Sequence, residues 1–470
     1  MQRPIIKTIS AAVIAAIATG AHAGSFSLYT EGSGRAIGNY AAGVAAEASD
    51  ASTGWYNPAG LALLNTQQAV FGGVGVFPSS KLSGTTTYST TGIPVPYTQS
   101  YSNLQGAKDA FVPSFHYAKP LSENITAGLS VVSPFGLSTD WSRTSAVRYS
   151  ATYSELITTD LAPELGAKIT DNFAIGAGLD LQYARVKFNK VIGAPDVMRL
   201  LGQNPASLDS YSYNKGDSFG VGFHAGLMTM FNDNHTRVGF NYQSKMKHKF
   251  HGYSRLSGSL ATANVITYTQ YPLTSPTSSF RTNTLYSNDI EFPEIATLSG
   301  YHDLNDQWAL LGSVVYTGWH SLSYIQLNNA AAFAPTVGRV LANSRAVQNY
   351  DNAWRFAVGA NYKVDEQWML RVGGGYDQSP TNDVDRDIRI ADSDRWALSA
   401  GAHYQYREDI GLDLGYTHLF SVDSSVPLRK VEGTAANTVT LNGSAKGSAD
   451  LVGVQATWYM DGIVKPVPTK

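Results

Sequence analysis

Four cations stand where alternating residue patterns can make use of them: Arg185, Lys187, Arg355 and Arg371. Arg355 interrupts an alternation in which Trp354, Phe356, Val358, Ala360 and Tyr362 share one face and Arg355, Gly359, Asn361 and Lys363 the other. Side chains on a strand point to opposite faces with period two, so Arg355 looks away from the apolar side. Arg185 and Lys187 instead continue the face of Leu179, Leu181 and Tyr183, which places them at the upper rim of a strand. A guanidinium or ammonium in such surroundings can hold an anionic group by charge-assisted hydrogen bonds. Pairing with acids such as Asp180 and Asp413, or snorkelling at an interface, is the competing use of each one. Bond-making chemistry has no comparable signal: there is no G-x-S-x-G, no HExxH and no paired-carboxylate spacing, and the chain has no cysteine. The expectation is a protein that is not an enzyme, with no metal and no cofactor.

The elements that position these cations read as an all-β transmembrane barrel. Residues 1–23 have the form of a signal peptide: Arg3 and Lys7, an apolar stretch from Ile9 to Ala18, then Ala21-His22-Ala23. No later stretch is apolar enough for a membrane helix, so membrane crossing falls to strands. From Gln68 onward, short polar turns at Leu121–Asn124, Thr170–Asn172, Asn232–His235, Leu304–Asp306, Val364–Glu366 and Tyr406–Asp409 alternate with long loops. The loops fall near 83–107, 135–149, 189–217, 254–281, 326–350, 378–391 and 424–441. Six turns and seven loops make about 14 antiparallel strands with both ends on the short-turn side. In Trp396 to Tyr406, Trp396, Leu398, Ala400, Ala402, Tyr404 and Tyr406 form a lipid face against Ala397, Ser399, Gly401, His403 and Gln405. Aromatic residues beside the short turns, including Phe173, Phe231, Trp308, Trp368 and Trp458, suit an interfacial belt. A soluble sandwich would carry more Lys and Glu on its open face. A formal net charge of -2 with 15% charged residues leaves no footprint for nucleic acid.

The organisation is therefore a signal peptide (1–23), an N-terminal plug or hatch (24–67), a barrel (68–460) and a polar tail (461–470). Residues 24–67 are rich in Gly and Ala, lack strand periodicity and carry Trp55, Leu61, Leu63 and Leu64, as a compact piece packed in a lumen would. Asn57-Pro58-Ala59 has the composition of a fixed turn. Pro134 and Gly136, flanking Phe135, weaken a ladder, so the upward third strand should bend or stop there. Apolar clusters in two outer loops, Val197-Met198-Arg199-Leu200-Leu201 and Leu256 to Leu260 with Val265 and Ile266, either pack on each other or grip something.

Ordered segments along the mature chain resemble the FadL family of outer-membrane long-chain fatty acid and hydrocarbon transporters. They are Gly34-Arg35-Ala36, Asn57-Pro58-Ala59, Val112-Pro113 with His116, Pro134-Phe135-Gly136-Leu137-Ser138-Thr139, and Tyr183-Ala184-Arg185 with Lys187. Further on come Phe219-Gly220-Val221-Gly222-Phe223, Phe292-Pro293-Glu294, Gln307-Trp308-Ala309, Tyr316-Thr317-Gly318-Trp319, Asp377-Gln378-Ser379-Pro380 and Asp394-Arg395-Trp396. The resemblance implies a 14-stranded barrel with an N-terminal hatch, ligand capture by outer loops around Leu200 and Leu201, and sideways release at a kinked third strand. It implies a bacterial outer-membrane location. The expected partners are a long-chain fatty acid or another hydrophobic small molecule, outer-membrane lipid and lipopolysaccharide, and the barrel assembly machinery, with the protein a monomer. Uptake of neutral or aromatic hydrocarbons is the alternative, and a general porin or structural barrel a further one. Family members usually end at the aromatic residue of the last strand, whereas Trp458-Tyr459 is followed here by Met460 to Lys470.

Overall fold

A computed structural model describes residues 26–262, 277–334, 337–422, 426–433 and 437–461. The signal peptide, Val265, Ile266 and the tail beyond Asp461 lie outside the described residues.

Fourteen antiparallel strands form one closed wall. Strand β1 (Gln68–Thr90) pairs with β2 (Ala110–Ser122), and β2 pairs with β3, which runs as Ile125–Val132 and resumes as Gly136–Asp140. Then follow β4 (Tyr153–Thr170), β5 (Phe173–Phe188) and β6 (Ser210–Phe231). Strand β7 comprises Thr236–Gln243 and His251–Gly258, β8 Ser279–Ser287 and Ile295–Asp303, and β9 Trp308–Thr317 and Tyr324–Ala334. Strand β10 comprises Gly338–Val347 and Ala353–Lys363, before β11 (Trp368–Asp377), β12 (Arg395–Arg407), β13 (Ile410–Ser421) and β14 (Asn437–Tyr459). Pairing of β14 with β1, from Gln68↔Tyr459 to Thr90↔Asn437, closes the ring. Closure is what lets a sheet sit in lipid, because an open edge would leave unpaired N–H and C=O groups there.

All six short turns fall where Asn and Asp mark them. The long connections differ from expectation. The described residues of the stretches read as loops near 83–107, 254–281, 326–350 and 424–441 include strand pairs that extend the wall outward, such as Tyr97–Gln105 against Lys81–Tyr88 and Val426–Gly433 against β14. Tyr97–Gln105 exposes Thr98, Ser100, Ser102, Asn103 and Gln105, as suits a sheet above the membrane with water on its outer side, so the apolar alternation that marks a membrane strand is missing there.

Outward residues of the mid-wall are apolar: Phe219, Val221, Phe223, Leu298, Val358, Leu398 and Leu414 are exposed. Aromatic pairs ring both ends of this band, Trp308–Tyr362 and Trp368–Tyr404 below, Tyr316–Trp354 and Tyr376–Trp396 above. Inward residues are small or hydrogen-bonded in pairs, for example Ser299–Ser313 at 2.8 Å and Ser399–Thr417 at 2.7 Å.

Residues 26–64 run through short helical turns, including Thr53–Tyr56 and Pro58–Leu63, and are almost entirely buried. Their partners sit all round the ring. Backbone groups of Gly32, Ile37, Tyr40, Gly43, Ala45, Gly54 and Trp55 bond to His116, Thr417, Arg355, Ser313, Ser299, His224 and Gln243, on seven different strands. Only a segment inside the closed wall can reach all of these.

Glycines make the room. A Cβ on Gly226 would meet Asn57 Oδ1, one on Gly176 the backbone of Pro58 and Ala59, one on Gly166 Pro58 O, and one on Gly239 Ala45 O. On the facing wall Gly373, Gly401 and Gly415 do the same for Gly38 and Asn39. Mid-strand glycine marks such close backbone approach. Gly226→Val should therefore leave the barrel assembled but unseat residues 26–64, read as normal heat-modifiable gel mobility with new protease cleavage in that segment. Gly300→Ala, whose added Cβ has no neighbour within 4 Å, should keep both mobility and protection; equal protection in both variants would contradict this packing.

Candidate functional site

Between Val132 and Gly136 the third strand leaves the wall. Val132 pairs with Asp160 and Gly136 with Ile157, so Ser133, Pro134 and Phe135 stand opposite Thr158 and Thr159. An extra residue on one strand bends it, and proline cannot donate to the ladder. On the other side, pairing of β2 with β3 stops at Phe115↔Val131 and resumes only at the isolated bridge Ala107↔Thr139. A window in the ladder results, with Ala110–Ser114 of β2 along one side. Pro113 and Pro134 each remove one N–H donor beside it.

The groups freed by the bend are taken up inside. Leu28 N–H donates to Pro134 O at 2.8 Å, and Gly136 N–H to Phe26 O at 2.9 Å. Thr158 Oγ1 accepts from Phe135 N–H at 2.9 Å and donates to Phe135 O at 2.7 Å. The start of the N-terminal segment thus serves as the missing strand at the bend. Asn57, Pro58 and Ala59 are buried at the wall further toward the short turns, against Gly166, Gly176 and Gly226: Asn57 Nδ2 donates to Ala45 O (2.7 Å) and Leu227 O (3.0 Å), and its Oδ1 accepts from Ala59 N–H (3.1 Å). That is the fixed turn expected of these residues.

Behind the window lies an aromatic cluster. Phe26 packs edge-on to Phe135, Phe292 and Trp319, with ring centroids 6.0, 5.9 and 4.6 Å apart, and Trp319 meets Tyr350 at 5.8 Å. Leu137, Leu322 and Ile390 extend it. A cleft adjoining this cluster is lined by Tyr29, Tyr40, Trp319, Arg355 and Asp377 and encloses about 30 Å³, space for water rather than for an alkyl chain.

The four predicted cations separate. Arg185 and Lys187 face outward at the upper rim and both pair with Glu155, at 3.1 and 2.9 Å, so they line no lumenal pocket. Arg371 is lumenal but neutralised by buried Asp413 at 2.7 Å. Arg355 is buried in the lumen and makes no close ion pair among the described residues, with Asp377, opposite it in register, and Glu31 acting on it at longer range. Its Nη2 donates to Tyr40 O at 2.8 Å, its guanidinium lies 3.9 Å from the Tyr40 ring centroid, and its Nε has no acceptor. Sequence reading missed Arg395, a second buried lumenal cation, paired with Asp392 at 2.7 Å; its position opposite Trp396 and Leu398 is the same alternation that singled out Arg355. Thr158, Phe26 and Trp319 were also missed, and nothing local to them signals the bend they serve.

Leu200 and Leu201 belong to a short outer helix, Pro195–Leu200, and its end. Val197 and Met198 are buried against Leu208, Leu256 and Leu260, whereas Leu200 is 55% exposed and Leu201 38%. Local packing explains the first pair and leaves the second presented to the outside.

A family model described as outer membrane protein transport protein (OMPP1/FadL/TodX) matches residues 14–459. The chain is 28% identical over 451 residues to a long-chain fatty acid transport protein of Escherichia coli O6:H1, covering 93% of this chain and 96% of that one. Among solved structures, a FadL homologue of Pseudomonas aeruginosa superposes with a TM-score of 0.76 at 24% identity, over 93% of this chain and 99% of that one. The toluene transporter TbuX of Ralstonia pickettii gives 0.56 at 17% identity, over 87% and 94%.

The assignment of Arg371 to structure rather than ligand is open to test. Arg371→Met leaves the buried Asp413 carboxylate with His403 in contact and Arg35 only at longer range, and breaking a buried pair costs about 3–5 kcal/mol. Urea unfolding of the barrel in micelles should show a lowered midpoint, and Arg371→Met with Asp413→Leu should restore most of it. An unchanged midpoint in the single variant would contradict the assignment.

Proposed function

The chain belongs to the outer membrane protein transport family (OMPP1/FadL/TodX) and resides in the bacterial outer membrane, and from that premise we propose that it takes up long-chain fatty acids by passive, gated diffusion. The observation that carries this reading is the joining of Phe26–Leu28 to the bend at Ser133–Gly136, beside a window in the wall. Residues 26–64 act as a hatch: they stopper the lumen, and the same residues hold the side exit. Ligand is captured at the outer loops, where Leu200 and Leu201 offer apolar surface. It then enters the aromatic cluster around Trp319 by displacing Phe26, and leaves sideways between β2 and β3 past Phe111, which is exposed on the outer face.

Fatty acid is favoured over neutral hydrocarbon by Arg355. Its Nε–H lacks an acceptor beside an apolar cluster, so a carboxylate would satisfy a buried donor that is otherwise left unpaired. A general porin is disfavoured because the lumen is filled by residues bonded to the wall on many strands. No step of this path makes or breaks a covalent bond.

Binding to the purified protein separates the substrate classes. Labelled oleate should bind in the micromolar range, roughly the affinity of a buried apolar chain after the ordering costs of entry. Methyl oleate should bind about tenfold more weakly in the wild type, and Arg355→Gln should abolish that difference. Equal binding of acid and ester by the wild type, with competition by toluene, would move the assignment to hydrocarbons. Asn57→Ala with Pro58→Ala should leave the barrel folded and slow oleate uptake by cells; uptake at the wild-type rate would reduce this turn to a tether.

A further inference from the structure

The outer side of the wall carries a cationic, aromatic patch that the transport path does not use. From Lys245 to Arg255 the chain alternates strictly. Lys245, Lys247, Lys249, His251, Tyr253 and Arg255 point outward, while Met246, His248, Phe250, Ser254 and Leu256 are buried. The stripe starts beside the top of the lipid face and runs past it: Ser244 N–H donates to Phe223 O and Lys249 N–H to Ser218 Oγ, whereas Tyr253 and Arg255 pair with Lys215 and Tyr213. On neighbouring β6 the apolar outward run Phe223, Val221, Phe219 gives way to Asp217, Lys215 and Tyr213. Strand residues rise about 3.3 Å each, so Lys249 stands at the upper edge of that apolar run and Lys215, Arg255 and Arg281 above it, at the depth of the headgroup layer.

Register brings like charges together. Lys187 lies opposite Lys215 and Arg255 opposite Arg281, an arrangement that destabilises a sheet unless an anion sits between them. Lys187, Lys245 and Lys247 are compensated by Glu155, Glu294 and Asp289. Lys215, Lys249, Arg255 and Arg281 form no ion pair among the described residues, and Asp217 is engaged by the Tyr183 hydroxyl. The guanidiniums are held over ring faces: Tyr213 and Tyr253 stack at 5.6 Å, Arg281 lies 4.1 Å from the Tyr253 centroid, and Arg255 5.9 Å from Tyr213. These groups look sideways into the headgroup layer and away from the lumen, so their counter-anion belongs to the membrane.

We propose that this face of β6, β7 and β8 binds the phosphorylated glycolipid of the outer leaflet, with Lys215, Lys249, Arg255 and Arg281 gripping its phosphates and the tyrosine pair packing on its sugar. The site is independent of fatty acid transport. Each Lys or Arg adds attraction to an anionic headgroup, and aromatic faces select a sugar-bearing one.

The test uses purified full-length barrel in detergent micelles, with bis-phosphorylated lipid A, its dephosphorylated form and phosphatidylglycerol as probes, and native mass spectrometry to count bound lipid. Wild type should retain lipid A in preference to both other probes. Replacing Lys215, Lys249, Arg255 and Arg281 together by Gln should weaken lipid A binding about tenfold or more, while Lys119→Gln with Lys363→Gln, exposed at the short-turn end of β2 and β10 and each opposite an uncharged residue, should not. All four target side chains lie on the outer surface, and heat-modifiable mobility confirms folding; Lys249→Gln and Arg281→Gln singly should give intermediate losses. Undiminished lipid A binding in the fourfold variant, or equal retention of phosphatidylglycerol by the wild type, would overturn the proposal.

Discussion

Within a bilayer no backbone N–H or C=O can be left to water, and each one unpaired costs several kcal/mol. That constraint dictates the closed ring of fourteen strands and makes any interruption of it expensive. The interruption at Ser133–Phe135 exists because three compensations meet there. Proline removes donors at Pro113 and Pro134, Thr158 supplies a hydroxyl that both gives and accepts, and Phe26–Leu28 pairs with the bent backbone. The last of these is the one that can be withdrawn. In the proposed mechanism, a wall whose weakest point is completed by the N-terminal segment would couple the state of the lumen to the state of the side exit, without any long-range relay.

The same segment also sets the composition of the wall. A barrel lumen filled by backbone turns needs wall positions without side chains, which is why Gly166, Gly176, Gly226 and Gly239 stand side by side under Asn57–Ala59 although they belong to four strands. The turn of Asn57 satisfies its own amide inside this glycine patch, so the contact is specific while burying little apolar surface. The larger hydrophobic contacts of the segment lie elsewhere, at Phe26, Ile37, Tyr40, Trp55, Tyr56 and Leu61.

Much of this was legible in the sequence, for identifiable reasons. Tight turns need Asn, Asp and Gly, so the six short connections and hence the strand number could be read directly. Lipid faces need continuous apolar alternation, so Trp354 to Tyr362 and Trp396 to Tyr406 revealed their orientation, and Arg355 its inward aim. The outer hairpins were hidden because strands wet on their outer side, such as Tyr97–Gln105, lack that alternation. Ion pairs made across the wall were legible only where the acid was conspicuous: Asp413 was recognised as a possible partner for a lumenal cation, whereas Glu155, which holds Arg185 and Lys187, was not. The bend was marked by Pro134 and Gly136, but its completion by Phe26 and Thr158 depends on residues far apart in the chain and carries no local signal.

The claim on which the account rests is that the N-terminal segment must part from the bend for ligand to pass. Ser27 and Phe135 form an isolated antiparallel bridge, and paired antiparallel residues place their Cα atoms about 4.5–5.5 Å apart, within disulfide reach. The chain has no native cysteine, so Ser27→Cys with Phe135→Cys introduces a single reversible lock. Labelled oleate uptake should be measured in cells whose only fatty acid transporter is this variant, before and after reduction. The account predicts uptake near background when the lock is oxidised and recovery on reduction to the rate of the Phe135→Cys single variant. Equal rates in the two states would contradict it.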